Sequence, residues 1–199
     1  MVKLCTPAAR YALLAPCAAG FIVCAPFAAE ALQAEPLRMN SNITEAQVLQ
    51  AQEGWCAGLL KISEAYRSGG FEKAKAVANQ VLDSAYAYQY GPVAFKPTLT
   101  TNPQTFRATK AGALAYFVGG DPNFPNDKGF AIKPWQTCKV RNQIIQLHGM
   151  FATTMGNVDL TDPSGKTTTV DKTWTFIREP DGNIRIVLHH SSLPFTAAN

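Results

Sequence analysis

Histidine is scarce in this sequence, and the spacings that usually hold a metal or a nucleophile are missing. The 199-residue chain contains three histidines, His148, His189 and His190, and neither H-x-x-x-H nor H-E-x-x-H occurs. No C-x-x-C is present, so a cysteine-bound metal cluster is not encoded. G-x-S-x-G is also absent, which removes the elbow on which serine hydrolases place their nucleophile. The eighteen Lys and Arg residues are scattered and the formal charge is only +4, which argues against a nucleic-acid partner. There is no internal repeat and no low-complexity segment.

What is present begins with a targeting pattern. Lys3 and Arg10 give a positive start, Tyr11 to Ala29 is apolar, and Ala29-Glu30-Ala31 is a small-x-small cleavage signal. Residues 1–31 are therefore expected to be a signal peptide, followed by a linker over 32–43 and a single domain over 44–199. Pro16, Gly20 and Pro26 interrupt the apolar stretch, so stable membrane insertion after cleavage is not expected. The expected location is periplasmic or an equivalent exported compartment. Cys5, Cys17 and Cys24 leave with the signal. Cys56 and Cys138 remain, either as one disulfide in an oxidising compartment or as two buried thiols.

The domain reads as helices first and strands later. Thr44 is a good N-cap with Gln47 completing a capping box. Val48, Trp55, Leu59, Ile62 and Tyr66 then recur at helical spacing until Gly69-Gly70. A second helix is expected from Phe71 to Leu82, and a third from Thr105 to Val118. The alternating aromatics of Tyr86 to Tyr90 predict an extended segment. Strands are expected over Phe130–Trp135, Lys139–Gly149, Met150–Leu160, Thr167–Arg178 and Asn183–Ser191. The clusters Asp162-Pro163-Ser164-Gly165 and Pro180-Asp181-Gly182-Asn183 join the last three of these. Helices followed by an antiparallel run of strands predict an α+β fold, with a bent sheet wrapped around helices and a hollow at its mouth.

The chemistry points to the C-terminal His189-His190-Ser191-Ser192 run. On a strand, His189 and Ser191 share one face while His190 and Ser192 share the other, so the two histidines cannot grip one ion. His189 and Ser191 have Cα atoms roughly 6.5 Å apart, close enough for their side chains to touch. On residues alone, this patch is equally a polar end to a buried strand.

A series of motifs goes further. Phe95-Lys96-Pro97-Thr98-Leu99, Thr105-Phe106-Arg107, Ala115-Tyr116-Phe117-Val118-Gly119-Gly120, Asp127-Lys128-Gly129-Phe130-Ala131, Met155-Gly156-Asn157 and His189-His190-Ser191-Ser192-Leu193-Pro194 follow in that order. The series resembles the iota-class carbonic anhydrases, a branch of the cone-shaped nuclear-transport-factor-2-like fold, over roughly Val48 to Phe195. It is similar, more distantly, to the association domain of calcium/calmodulin-dependent kinase II. The resemblance implies interconversion of carbon dioxide and bicarbonate by a soluble homo-oligomer, expected to be a dimer paired through the outer sheet face. It implies a site of Thr98, Tyr116 and Ser191 with His189 nearby, and Ser192 as a further substrate contact. Members of the family differ over metal. None is the first expectation here, with zinc or manganese as the alternative. Leu188 stands where the closing motif often has a further His, which weighs against metal. Without metal, either the Tyr116 pKa must fall or several hydroxyls must order the attacking water, and His189 is expected to shuttle protons. The rival expectation is a non-catalytic small-ligand-binding or oligomerisation module of the same fold.

Overall fold

The computed structural model describes residues 40–197, so the expected signal peptide and most of the linker lie outside the described residues. The first element, α1 (Glu45–Ala85), opens on the capping box that the sequence predicts, with Thr44 Oγ1 accepting from the Gln47 amide and the Gln47 side chain accepting from the Thr44 amide. It is not one straight rod. Gly70 has φ 72°, outside helical space. A Cβ placed on Gly58 would lie 2.9 Å from Val81 Cγ1. In a straight helix those positions would be about 35 Å apart, so the chain doubles back at Gly70 and residues 45–69 pack against residues 71–85. The two predicted helices are these two arms.

Four long strands follow: β2 (Thr137–His148), β3 (Phe151–Thr161), β4 (Thr167–Arg178) and β5 (Ile184–Ser192). They form an antiparallel meander, and the short β1 (Ala94–Lys96) adds in parallel to β5, giving the order β1-β5-β4-β3-β2. The sheet buries one face against α1, while α2 (Lys110–Val118) packs on α1 and, through Tyr116 and Phe117, on Phe95 of β1, as the α+β reading anticipates. Phe95, Phe117 and Phe176 are fully buried there, each contributing about 2 kcal/mol. A disulfide joins Cys56 of α1 to Cys138 of β2 across 82 residues of sequence.

Three expectations need correction. Only Tyr86 of the Tyr86–Tyr90 segment bridges the sheet, opposite Ile186, and a turn begins at Ala87. Phe130–Trp135 is not a strand. The amides of Phe130 and Ala131 instead bond the Tyr116 and Phe117 carbonyls, groups near the C-terminus of α2. That helix itself starts later than expected, with Thr109 as its N-cap. The Arg107 amide bonds the Phe95 carbonyl and the Ala108 carbonyl accepts from Val93, so this stretch lies along β1 instead of coiling.

Candidate active site

The parallel pairing of β1 with β5 builds the site. Its register sets Phe95 opposite His189 and Lys96 opposite His190. Thr98, two residues beyond Lys96, therefore reaches Ser191, and its Oγ1 donates to Ser191 Oγ at 2.8 Å. Alternation along β5 turns His189 and Ser191 inward, each 2 % exposed. Ser192 falls on the opposite face with His190, where both line a separate surface pocket, so it is not a contact of this site.

Tyr116 arrives from α2 and stacks on Phe130. Its hydroxyl is buried and has no hydrogen-bond partner of acceptable geometry, although the Thr98 hydroxyl and the Thr98 and Leu99 backbone are near enough to act on it. Burial dominates and pushes the phenol pKa well above its usual value. Tyr116 therefore stays protonated near pH 7 and keeps a proton to donate, against the expectation of a lowered tyrosine pKa. Beside it opens a pocket of about 250 Å³ lined by Leu99, Tyr116, Phe130 and Lys133 among others. One wall, the loop through Asp127, is fixed by a fully buried, two-bond ion pair from Arg107 at 2.7 and 2.8 Å.

Behind the hydroxyls lies a group that sequence reasoning missed. Lys172 of β4 is 4 % exposed. Its Nζ lies 2.7 Å from Ser191 Oγ and 2.8 Å from His189 Nε2, with the faces of Trp55 and Trp174 beneath it. Burial lowers its pKa to about 7. The signal was available: Val170, Lys172, Trp174 and Phe176 are in phase on β4, and all four are buried. A lysine in an inward series of apolar residues has to be held there by function or by partners.

His189 is enclosed as well. Its ring stacks on Phe95 at 4.4 Å, and its Nδ1 lies 2.8 Å from the Tyr86 hydroxyl, which also accepts from Trp55 Nε1 at 2.9 Å. Burial first, then the neighbouring Lys172 and His190, hold its pKa well below the usual imidazole value. The ring is neutral near pH 7, and both its nitrogens are occupied. It cannot exchange protons with solvent directly, so the shuttle role expected of it gives way to a positioning one. No group of three or more His, Cys, Asp or Glu is arranged to hold a metal among the described residues.

The family model described as metal-independent carbonic anhydrase matches residues 46–193. The chain belongs to that family. This metal-independent carbonic anhydrase family includes a curated relative from Nostoc sp. (strain PCC 7120), itself described as a metal-independent carbonic anhydrase. It is 55 % identical over 157 residues, 79 % of this chain and 77 % of the relative. The crystal structure of a cyanobacterial iota-carbonic anhydrase complexed with bicarbonate superposes with a TM-score of 0.80 and 52 % identity, covering 82 % of this chain and all of that one. A putative calcium/calmodulin-dependent kinase II association domain from Xanthomonas campestris shares the fold at 20 % identity, with a TM-score of 0.51 over 82 % of this chain and 97 % of its own. The family's description agrees with the expectation of no metal.

Proposed function

We propose that the protein catalyses the reversible hydration of carbon dioxide to bicarbonate, without a metal, in the pocket that Tyr116 lines, with the Thr98–Ser191 hydroxyl pair beside that tyrosine. One observation carries the reading: the Tyr116 hydroxyl is buried, protonated and unpartnered beside the Thr98–Ser191 pair, at the wall of a small cavity. A buried donor left unpaired costs about 1–3 kcal/mol, a cost that a bound anion removes. Carbon dioxide is apolar and fits against Leu99 and Phe130. As water adds to its carbon, negative charge grows on the oxygens. Tyr116 donates to that charge more strongly in the transition state than in the substrate complex. The bicarbonate held by the cyanobacterial structure, at 52 % identity, supports the same ligand here.

Stopped-flow hydration on metal-analysed protein tests this. Activity is expected to survive exhaustive chelation, and Tyr116→Phe is expected to lower kcat about 100-fold, the loss typical of one oxyanion donor. Loss of activity with chelator and its recovery with zinc or manganese would overturn the metal-free reading. An inactive protein that nevertheless retains a ligand in the pocket would favour the binding-module alternative.

We also propose that residues 1–31 direct export to the periplasm. The Lys3–Arg10 start, the apolar run and the Ala29-Glu30-Ala31 site support this, and the Cys56–Cys138 bond suits an oxidising compartment. The mass of the exported protein should correspond to a chain starting at Leu32. An unprocessed amino terminus would contradict it.

A further inference from the structure

Hydration releases a proton, and neither the Tyr116 hydroxyl at the pocket nor the Thr98 and Ser191 hydroxyls beside it can keep it. Tyr116 is already protonated, and Thr98 and Ser191 are alcohols. Among the described residues, the basic group hydrogen-bonded to these hydroxyls is Lys172, whose Nζ is 2.7 Å from Ser191 Oγ. We propose that the amine of Lys172 takes the proton released when water adds to carbon dioxide, with the Ser191 hydroxyl carrying it between them. This role rests on the activity proposed above.

The surroundings of Lys172 are those of an amine, not a paired ammonium. From β5 it meets His189 Nε2 and Ser191 Oγ; from α1, the Trp55 ring; from its own strand, the Trp174 ring. Tyr86, at the end of α1, faces it only through His189, and Tyr116 only through Thr98 and Ser191. On β1 the Lys96 amine reaches the Ser191 carbonyl at 3.3 Å, which adds positive charge nearby. No carboxylate bonds Lys172 among the described residues. Burial, which lowers its pKa to about 7, acts in the same direction.

The step balances. The water oxygen forms a bond to carbon, and the π pair of one C=O moves onto its oxygen. The breaking water O–H gives its proton to Ser191 Oγ while the Ser191 proton passes to the lone pair of Nζ. The products are bicarbonate and an ammonium. The ammonium then donates to Ser191 Oγ and His189 Nε2, and after bicarbonate leaves, its proton returns through Ser191 to water and buffer. His189 Nε2 accepts from Lys172 before and after the step if the imidazole proton stays on Nδ1, donated to Tyr86. His189 is thus a positioning residue whose tautomer keeps the amine aimed at Ser191.

The experiment combines pH–rate profiles of hydration with NMR of full-length protein labelled at lysine Cε. In wild type, kcat/KM is expected to rise with pH and level off above a midpoint near about 7, with the Lys172 resonance titrating at the same midpoint. Lys172→Met and Lys172→Arg should each lose about 100-fold at pH 8 and lose that midpoint, because arginine restores the charge and the donors but not the base. Active wild type alongside a Lys172→Arg variant of unchanged rate and profile would overturn this role alone. So would a Lys172 resonance that stays protonated to pH 9, a measurement that needs no variant to fold. Wild type with no hydration activity would remove the proposed function, and this role with it.

Discussion

A lysine amine buried over two indole rings destabilises the fold whenever it is charged, and among the described residues no carboxylate bonds Lys172 to offset that cost. Its folded pKa, lowered to about 7, lies below its unfolded value. Between those two values the unfolded chain binds the extra proton, so stability rises with pH through this window and is lost as pH falls toward the folded value. Lys172→Met removes the coupling. Urea denaturation of both proteins should therefore show the variant's advantage over wild type shrinking by about 2 kcal/mol between pH 7 and pH 9. His189 titrates below this window, and the raised tyrosines Tyr86, Tyr88 and Tyr116 lie above it. A constant difference across the window would mean that Lys172 is charged in the fold at pH 7 and above. The same residue shows how far the site was legible. Thr98, Tyr116, Ser191 and His189 are implied by the family resemblance, with strand alternation agreeing for His189 and Ser191, whereas Lys172 lies outside every motif and shows itself only through its phase with Val170, Trp174 and Phe176. Ser192, the further contact that the resemblance implies, lies with His190 on the opposite face, where alternation puts it.

At the scale of elements, local pattern succeeded where backbone bonding is local. The capping box, the break at Gly69-Gly70 and the four-strand meander are all written in neighbouring residues. It failed at Phe130–Trp135 and Thr105–Ala108, whose backbone groups bond to distant partners, the end of α2 and the side of β1. The bulge in β2 between Asn142 and Ile144 is of the same kind, because its counterpart is a glycine on another strand. A Cβ on Gly156 would lie 2.1 Å from the Arg141 carbonyl oxygen. Backbone cannot yield as a side chain tip does, so Gly156→Ala has to shift β2 against β3. We expect a loss of about 1–3 kcal/mol, read as a lower urea midpoint with little change in m-value. An unchanged midpoint would show that the bulge relaxes freely.

At the scale of the whole molecule, the sheet has one face covered by helices and one that is not. On the uncovered side Ile144 pairs with Met155, and they are 50 % and 52 % exposed, with Phe151 at 44 % on the same strand as Met155. If the dimer expected from the resemblance forms through this face, these half-exposed side chains would lie at its apolar centre, a stable interface burying about 800 Å² on each partner. Met155→Lys sets a like charge against its own copy across a two-fold interface and strands apolar neighbours around it. Light scattering on the eluted protein should give a dimer for wild type and a monomer for the variant. Hydration activity should persist in that monomer, because alternation keeps Met155 on the sheet face opposite to that holding Lys172 and Ser191. A monomeric wild type would remove the dimer. A monomeric variant without activity would mean instead that the pocket depends on a second copy to hold the sheet in shape.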